Sequence, residues 1–139
     1  MPADYVIDAE HGVVFSRGFG VFTHADYVNQ MTQLKQDSRF DIDFNQMVDC
    51  RDITLMDITA QQIEDLAQTS VFSAKSRRAF VASGPIQFGL SRMLASYREV
   101  RGGQRVAVFM MMDEALTWLN LPLDSASVHN GGDNGRKDR

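Results

Sequence analysis

Three carboxylate side chains lie close together in the middle of the chain, at Asp49, Asp52 and Asp57. They lie around the end of a short apolar run. In parallel sheets, ligands bind beyond the carboxyl ends of the strands. Carboxylate oxygens in such a place can hold a divalent cation. The alternative is turn chemistry, because Asp side chains bond to the backbone of their own turns. We favour turns and predict no metal site.

The usual signs of an enzyme are missing from the sequence. Cys50 lies inside an apolar run, which indicates a reduced core residue, although a nucleophilic pair with His24 is a second interpretation. The histidines share no spacing typical of metal ligands. No glycine-rich phosphate loop, G-x-G-x-x-G segment or G-x-S-x-G elbow occurs. We therefore predict a protein that is not an enzyme and needs no cofactor.

Thr59 places a hydroxyl at the predicted start of a helix. Together with Gln62 it has the spacing of a capping box, and Ile58 and Ile63 have the spacing of a hydrophobic staple. A helix cap contributes about 1 kcal/mol, which is reason enough for a threonine at this position.

The elements that must position these groups alternate along the chain. A hairpin opens it, with strands near 5–7 and 13–19, and Thr23 begins a helix with Asp26 in a capping-box position. Later strands are predicted at 46–51, 78–83 and 105–111. Helices are predicted from Thr59, from Pro85 and from Asp113 as the cap of the last one.

This order, β-β-α-β-α-β-α-β-α, predicts an α/β fold. Strands that alternate with helices require a mostly parallel sheet flanked by helices, and the hairpin adds one antiparallel pairing. We expect a mixed five-stranded sheet in a single domain at 1–122, followed by a disordered tail at 123–139 that is almost without apolar residues.

Composition and charge narrow the classes of function. The 139 residues include 44% hydrophobic and 23% charged residues, as in an ordinary globular domain. The net charge of −4 argues against a general nucleic-acid binder. No secretory signal or membrane span is recognisable, so we expect a cytoplasmic protein. Residues 73–105 carry seven basic side chains and one acidic one, which indicates either solvated surface or a face for an anionic partner.

The stretch 48–66 resembles the STAS domains, typified by bacterial anti-sigma-factor antagonists. The resemblance lies in a buried strand, a short loop and an Asp-x-Thr segment that opens a helix. The element order over 4–120 is similar to the SpoIIAA-like bacterial proteins of that architecture. So are three phrases: Ala-Phe-Val-Ala-Ser at 79–83, Phe-Gly-Leu-Ser-Arg-Met at 88–93 and Asp-Glu-Ala-Leu-Thr-Trp-Leu at 113–119.

This resemblance implies a regulatory protein–protein interaction module. Asp57 matches the aspartate of the family motif, and Thr59 matches the hydroxyl residue that is phosphorylated to govern partner binding. Ile58 and Ala60 replace the serine and glycine of the Asp-Ser-Ser-Gly pattern. Thr59 is therefore either a helix cap alone or a cap that also accepts phosphate, which a helix N-terminus favours.

The alternative is a carrier or sensor of a small apolar or lipid-like ligand, since STAS-type folds resemble lipid-binding relatives. Phe88 is predicted to lie off the apolar stripe of its helix, on the face that meets solvent or the edge of the next layer, and Met93 lies on that stripe. These two side chains would line an entrance, and Arg92 would meet an anionic head group. The same surface is a candidate interface with a protein partner or with a second copy of the chain.

Overall fold

The structure is a computed structural model that describes residues 3–67, 70–102 and 105–125. Its first two strands, β1 (Ala3–Asp8) and β2 (Val13–Thr23), form the predicted antiparallel hairpin. The hairpin turn needs the left-handed backbone of Gly12, at φ 63°, which glycine adopts without steric cost.

The remaining elements follow in the predicted order. They are α1 (His24–Gln36), β3 (Asn45–Asp57), α2 (Ala60–Ala67), β4 (Arg77–Val81), α3 (Pro85–Gly102), β5 (Arg105–Phe109) and α4 (Met112–Trp118). One sheet contains all five strands in the order β1-β2-β3-β4-β5. The hairpin pairing is antiparallel and the other three pairings are parallel. The predicted fold class is confirmed.

The two faces of the sheet bury different clusters. On one face, here called the wide face, Val14, Cys50 and Phe80 pack beneath α1, α2 and α3. On the other, here called the narrow face, Val13 and Met47 pack with side chains of α4. Successive strand residues point to opposite faces, so neighbours such as Val13 and Val14 serve separate clusters. None of the described helices is both long enough and apolar enough to cross a bilayer.

Helix starts agree with the sequence at α1, α2 and α3 and differ at α4. At α1, the Thr23 hydroxyl accepts from the backbone N–H of Asp26 and the Asp26 carboxylate accepts from the Thr23 backbone, so the capping box is confirmed. At α4, the expected cap Asp113 is wrong. The helix begins two residues earlier than a cap at Asp113 implies, with Met111 at the cap position and no side-chain hydrogen bond there. Asp113 lies in the first turn of the helix, where its negative charge interacts favourably with the helix dipole.

Strand β3 is longer than the sequence predicted. It runs over Asn45–Asp57 instead of 46–51, beside an equally extended β2. Two register shifts, between Arg17 and Phe19 and between Gly20 and Val21, absorb extra residues of β3 as bulges. Within the described residues, the pairing with β1 ends at Gly18 and the pairing with β4 ends at Asp49. Residues 19–23 and 52–57 therefore continue as a two-stranded extension, here called the ribbon.

The described part of the chain ends in a turn that overlaps the predicted tail, and the boundary at 122 stays a prediction. Residues 122–125 form a turn in which the Ser125 N–H donates to the carbonyl of Pro122 at 3.1 Å, and Ser125 is buried. The predicted tail begins within this turn, at 123. Its remainder, residues 126–139, lies outside the described part of the chain.

Candidate functional site

The ribbon carries an exposed apolar pair. Val21 and Leu55 face each other across β2 and β3, and they are 51% and 53% exposed. The next pair on the same face is Thr23 with Asp57, and Asp57 is exposed. Two exposed apolar side chains thus lie directly beside the Asp57–Thr59 segment that the sequence analysis singled out.

Thr59 is an exposed helix cap. Its Oγ1 accepts from the backbone N–H of Gln62 at 3.1 Å, while Gln62 Oε1 accepts from the Thr59 N–H at 3.0 Å. Ile58 before the cap and Ile63 within the helix are both buried in one cluster, as the predicted staple requires. The capping box is confirmed, and the exposure of Thr59 leaves its side chain within reach of a modifying enzyme or a partner.

The three carboxylates at 49, 52 and 57 are spread along β3 instead of meeting at one edge. Asp49 is only 4% exposed, and both of its oxygens accept from the Arg51 side chain at 2.9 Å. This carboxylate also raises the pKa of Arg51 by accepting its hydrogen bonds. Asp52 and Asp57 are exposed. Asp49 is therefore an ion-pair partner at this site, not one member of a converging group.

Among the described residues, ligand-type side chains come together in the hairpin turn instead, at Asp8, Glu10 and His11. Asp8 accepts from the His11 backbone at 3.1 Å and lies 2.8 Å from His11 Nδ1. That hydrogen bond and the negative charge of Asp8 raise the pKa of the imidazole. The contacts within this exposed group are those of an Asp-stabilised turn.

Cys50 is a core residue, as predicted. It is buried in the wide-face cluster, and loss of solvation, with a smaller contribution from the charge of Asp49, raises the pKa of its thiol to about 12. A thiol with this pKa stays protonated near neutral pH, and only the thiolate is an effective nucleophile. The Cys50–His24 interpretation therefore lacks its reactive group.

A groove of about 280 Å³ runs between α1 and α2. Tyr27, Met31 and Leu66 line this groove and also line a smaller interior space of about 50 Å³ with a mostly apolar wall. The three shared side chains place the surface groove next to the interior space of the wide face. Lys35 lies at the groove and is exposed.

Behind this groove lies a buried cation. Arg78 is 1% exposed, and its Nε donates to Gln46 Oε1 while Nη2 donates to the Tyr27 hydroxyl, both at 2.8 Å. Gln46 in turn donates to Ser16 Oγ at 2.9 Å. The guanidinium also stacks over the rings of two phenylalanines, Phe72 and Phe80. Both acceptors of these hydrogen bonds are neutral groups.

The candidate ligand residues on α3 have other surroundings. Phe88 is half-buried and packs against the wide-face cluster, so the solvent-facing alternative is wrong, because α3 packs against both the sheet and α2. Met93 packs on the same cluster, and the exposed Arg92 lies 5.9 Å from the Phe88 ring centroid. Among the described side chains of α3, Leu90, Ser91 and Leu94 line the interior space.

The described side chains of the basic stretch do not form one surface. Arg78 is buried on the wide face, whereas Arg77 donates to the carbonyl of Trp118 at 2.8 Å and lies over its ring. Arg105 is exposed at the start of β5. The Arg78 network and the Val21–Leu55 pair escaped the sequence analysis, since nothing local marks a buried arginine or an exposed valine.

Comparisons with known proteins identify a solved structure with a similar fold. No family model and no curated protein matches this chain. A solved structure does match: the crystal structure of an uncharacterised DUF3478-family protein with a SpoIIAA-like fold from Shewanella loihica PV-4. The TM-score is 0.56 at 19% identity, and the match covers 84% of this chain and 93% of that chain. The likeness shows the fold alone, so the chain has the predicted SpoIIAA-like fold.

Proposed function

We propose that this chain, with its SpoIIAA-like fold, is a non-enzymatic regulatory module of STAS type that binds a protein partner beside Thr59. The observation that carries the proposal is the exposed Val21–Leu55 pair on the ribbon, next to Asp57 and Thr59. Exposed apolar side chains rimmed by polar ones are typical of protein-interaction surfaces. The ribbon continues past both neighbouring strands, so a partner can approach it.

Phosphorylation of Thr59 would regulate this contact. A phosphate would add about two negative charges at the helix start, which the helix dipole tolerates well. The same charges would lie beside Asp57 and the apolar pair, where they oppose burial by a partner. The module would then bind in the unmodified state and release its partner when Thr59 is phosphorylated.

We expect Leu55→Asp to lose the partner, because a carboxylate replaces an apolar side chain at the centre of the proposed contact. The tagged full chain and its variants are cross-linked in the source cells, and recovered proteins are quantified by mass spectrometry. Leu123→Asp is the matched control, since Leu123 is 58% exposed and its chain neighbours Pro122 and Asp124 lie by the β1–β2 turn, away from the ribbon. The proposal requires a protein that is lost with Leu55→Asp and kept with Leu123→Asp.

A pair of isosteric variants at Thr59 isolates the effect of charge. Both Asp and Asn are good helix caps, so Thr59→Asp and Thr59→Asn should retain stability within about 0.5 kcal/mol of each other. We expect the purified partner to bind Thr59→Asp at least about tenfold more weakly, a difference of about 1.4 kcal/mol. Equal affinities would leave Thr59 as a cap without a regulatory role.

A second candidate function is supported by the groove between α1 and α2. Its common lining with the apolar interior space would admit the tail of a small amphipathic molecule. Lys35 at the groove, with Arg78 buried behind Tyr27, provides positive charge for an anionic head group. On this proposal the ligand is a fatty acid or a molecule of similar chemistry, held between the two helices.

We expect decanoate to bind the chain in a calorimetric titration and to bind Val28→Trp at least about tenfold more weakly. Val28 is half-exposed and lines the groove, so an indole there occupies the ligand's place without disturbing the core. Val6→Trp, at a similarly exposed valine on β1, is the control and should bind normally. Absence of binding, or equal binding by both variants, excludes the carrier and leaves the regulatory module untouched.

A further inference from the structure

The two edges of the sheet are protected to different degrees. β1 carries Asp4, which pairs with Arg17 at 2.8 Å, and Asp8 in the hairpin turn. The carbonyl of Asp4 also accepts from Gln30 on α1 at 3.1 Å. Such charges and cover are the usual means by which a protein keeps an edge strand from pairing with another chain.

Among the described residues β5 has less of this protection, and its one charged side chain is Arg105 at the start of the strand. Its sequence, Arg-Val-Ala-Val-Phe, contains no lysine, proline or acidic residue, and its register with β4 runs without a bulge. In the described sheet β4 is its only neighbouring strand. The next residues, Met110 and Met111, are 55% and 61% exposed. A regular apolar edge of this kind is a template for strand pairing.

The direction of the backbone groups fixes how another strand can pair with β5. The Phe109 carbonyl accepts from the N–H of Ala82, the residue that follows β4, at 2.9 Å. Phe109 therefore directs its backbone toward β4, and hydrogen bonding alternates between the two sides of a strand from residue to residue. Val106 and Val108 consequently direct both their N–H and C=O groups outward.

We propose that β5 pairs with β5 of a second copy of this chain, antiparallel, about a two-fold axis at Ala107. In this register Val106 lies opposite the partner's Val108, and Val108 opposite the partner's Val106. All the outward groups of the two valines are then used, in four hydrogen bonds. Two five-stranded sheets become one continuous sheet, through an isologous contact of the kind that two-fold dimers use.

The side chains fit the same register. Opposite residues of an antiparallel pair share a face, so Val106 meets the partner's Val108 on the wide face. On the narrow face Arg105 lies opposite the partner's Phe109, and in this chain the Phe109 ring packs against Trp118 with centroids 5.8 Å apart. An exposed guanidinium beside these rings forms a cation–π contact. The symmetry repeats each contact, which favours a second copy over an unrelated strand.

Disulfide trapping tests the register directly. At the axis the two Ala107 residues form a non-hydrogen-bonded pair, whose Cα atoms lie about 4.5 Å apart, within the range that a disulfide spans. We expect Ala107→Cys in the full chain to form a covalent dimer under mild oxidation, detected by intact mass. The native Cys50 is buried and should not contribute.

The control is Arg105→Cys, which is more exposed but faces the partner's Phe109 instead of its own copy. It should cross-link much less than Ala107→Cys, and equal cross-linking would overturn the proposed register. Sedimentation of the unmodified chain supplies the second measurement. A dimer that Arg105→Ala weakens about tenfold supports the pairing, whereas a chain that stays monomeric at all concentrations overturns it and leaves the edge to another protein.

Discussion

Gln46→Leu is expected to lower the free energy of unfolding by about 3–5 kcal/mol, the range for removing the partner of a buried charge. Gln46 is 1% exposed, accepts from the Arg78 guanidinium and donates to Ser16. Leucine fills a similar volume, so the loss comes from hydrogen bonding. The buried guanidinium loses one of its two neutral acceptors, and the Ser16 hydroxyl loses its donor. Denaturant unfolding monitored by circular dichroism measures the change.

Gln46→Glu separates hydrogen bonding from shape. Glutamate has the shape of glutamine, keeps an acceptor for Arg78 Nε, and can accept from the Ser16 hydroxyl, which then rotates to donate. It also places a negative charge beside the buried cation. We expect this variant to retain most of the stability at neutral pH and to lose it in acid, when the carboxylate is protonated. If Gln46→Leu and Gln46→Glu lower the free energy of unfolding equally, the hydrogen bond from Arg78 to residue 46 does not contribute to stability.

The Arg78 network shows where reasoning from sequence ends. Arginine is among the residues least often buried, so a basic stretch at 73–105 is naturally interpreted as surface. The partners of Arg78 are 32 residues away at Gln46 and 51 away at Tyr27. Such contacts exist only after β3, β4 and α1 have come together. No sequence pattern within a single strand or helix predicts these contacts.

The features that were predicted correctly are local or periodic. The capping boxes at Thr23–Asp26 and Thr59–Gln62 join residues three apart, so their geometry depends on little beyond the helix start itself. The alternation of apolar strands with helices was enough to predict the fold class, because each helix must cover a face of the sheet. The only assumption about long-range contacts in these predictions is that apolar faces are buried.

The ribbon was missed because its sequence does not alternate regularly. The alternation of polar and apolar side chains holds only over 52–55, and the neighbours Leu55 and Met56 are both apolar. In the structure the bulges change the face of successive residues, so that Thr54 and Leu55 are both exposed. A short, interrupted pattern of this kind is easily interpreted as a loop. The same irregularity leaves Leu55 exposed beside Val21, so the proposed interaction surface arises from the feature that hid the strand.

Cys50 should make the fold sensitive to alkaline pH. Burial raises the pKa of its thiol from 9.0 to about 12 in the folded chain, while the unfolded chain keeps a value near 9.0. The folded state thus binds the proton more tightly, and this contribution is complete below about pH 9. It is lost as the pH rises from about 9 to about 12, by up to about 4 kcal/mol at the upper end. Denaturant unfolding at a series of pH values through this window measures the slope.

Cys50→Ala isolates the contribution of the thiol from other groups that titrate in alkali. Tyr5 is one of these, because partial burial and its hydrogen bond to Asp37 raise the pKa of its hydroxyl to about 12. Tyr5 is present in both proteins, so the difference between the two stability curves reports Cys50 alone. We expect the wild type to be the more stable below pH 9, since alanine leaves a small cavity, and its advantage to shrink as the pH rises. Parallel curves would mean that the thiol ionises as easily in the folded chain as in the unfolded one, which would contradict the burial of Cys50 in the wide-face cluster.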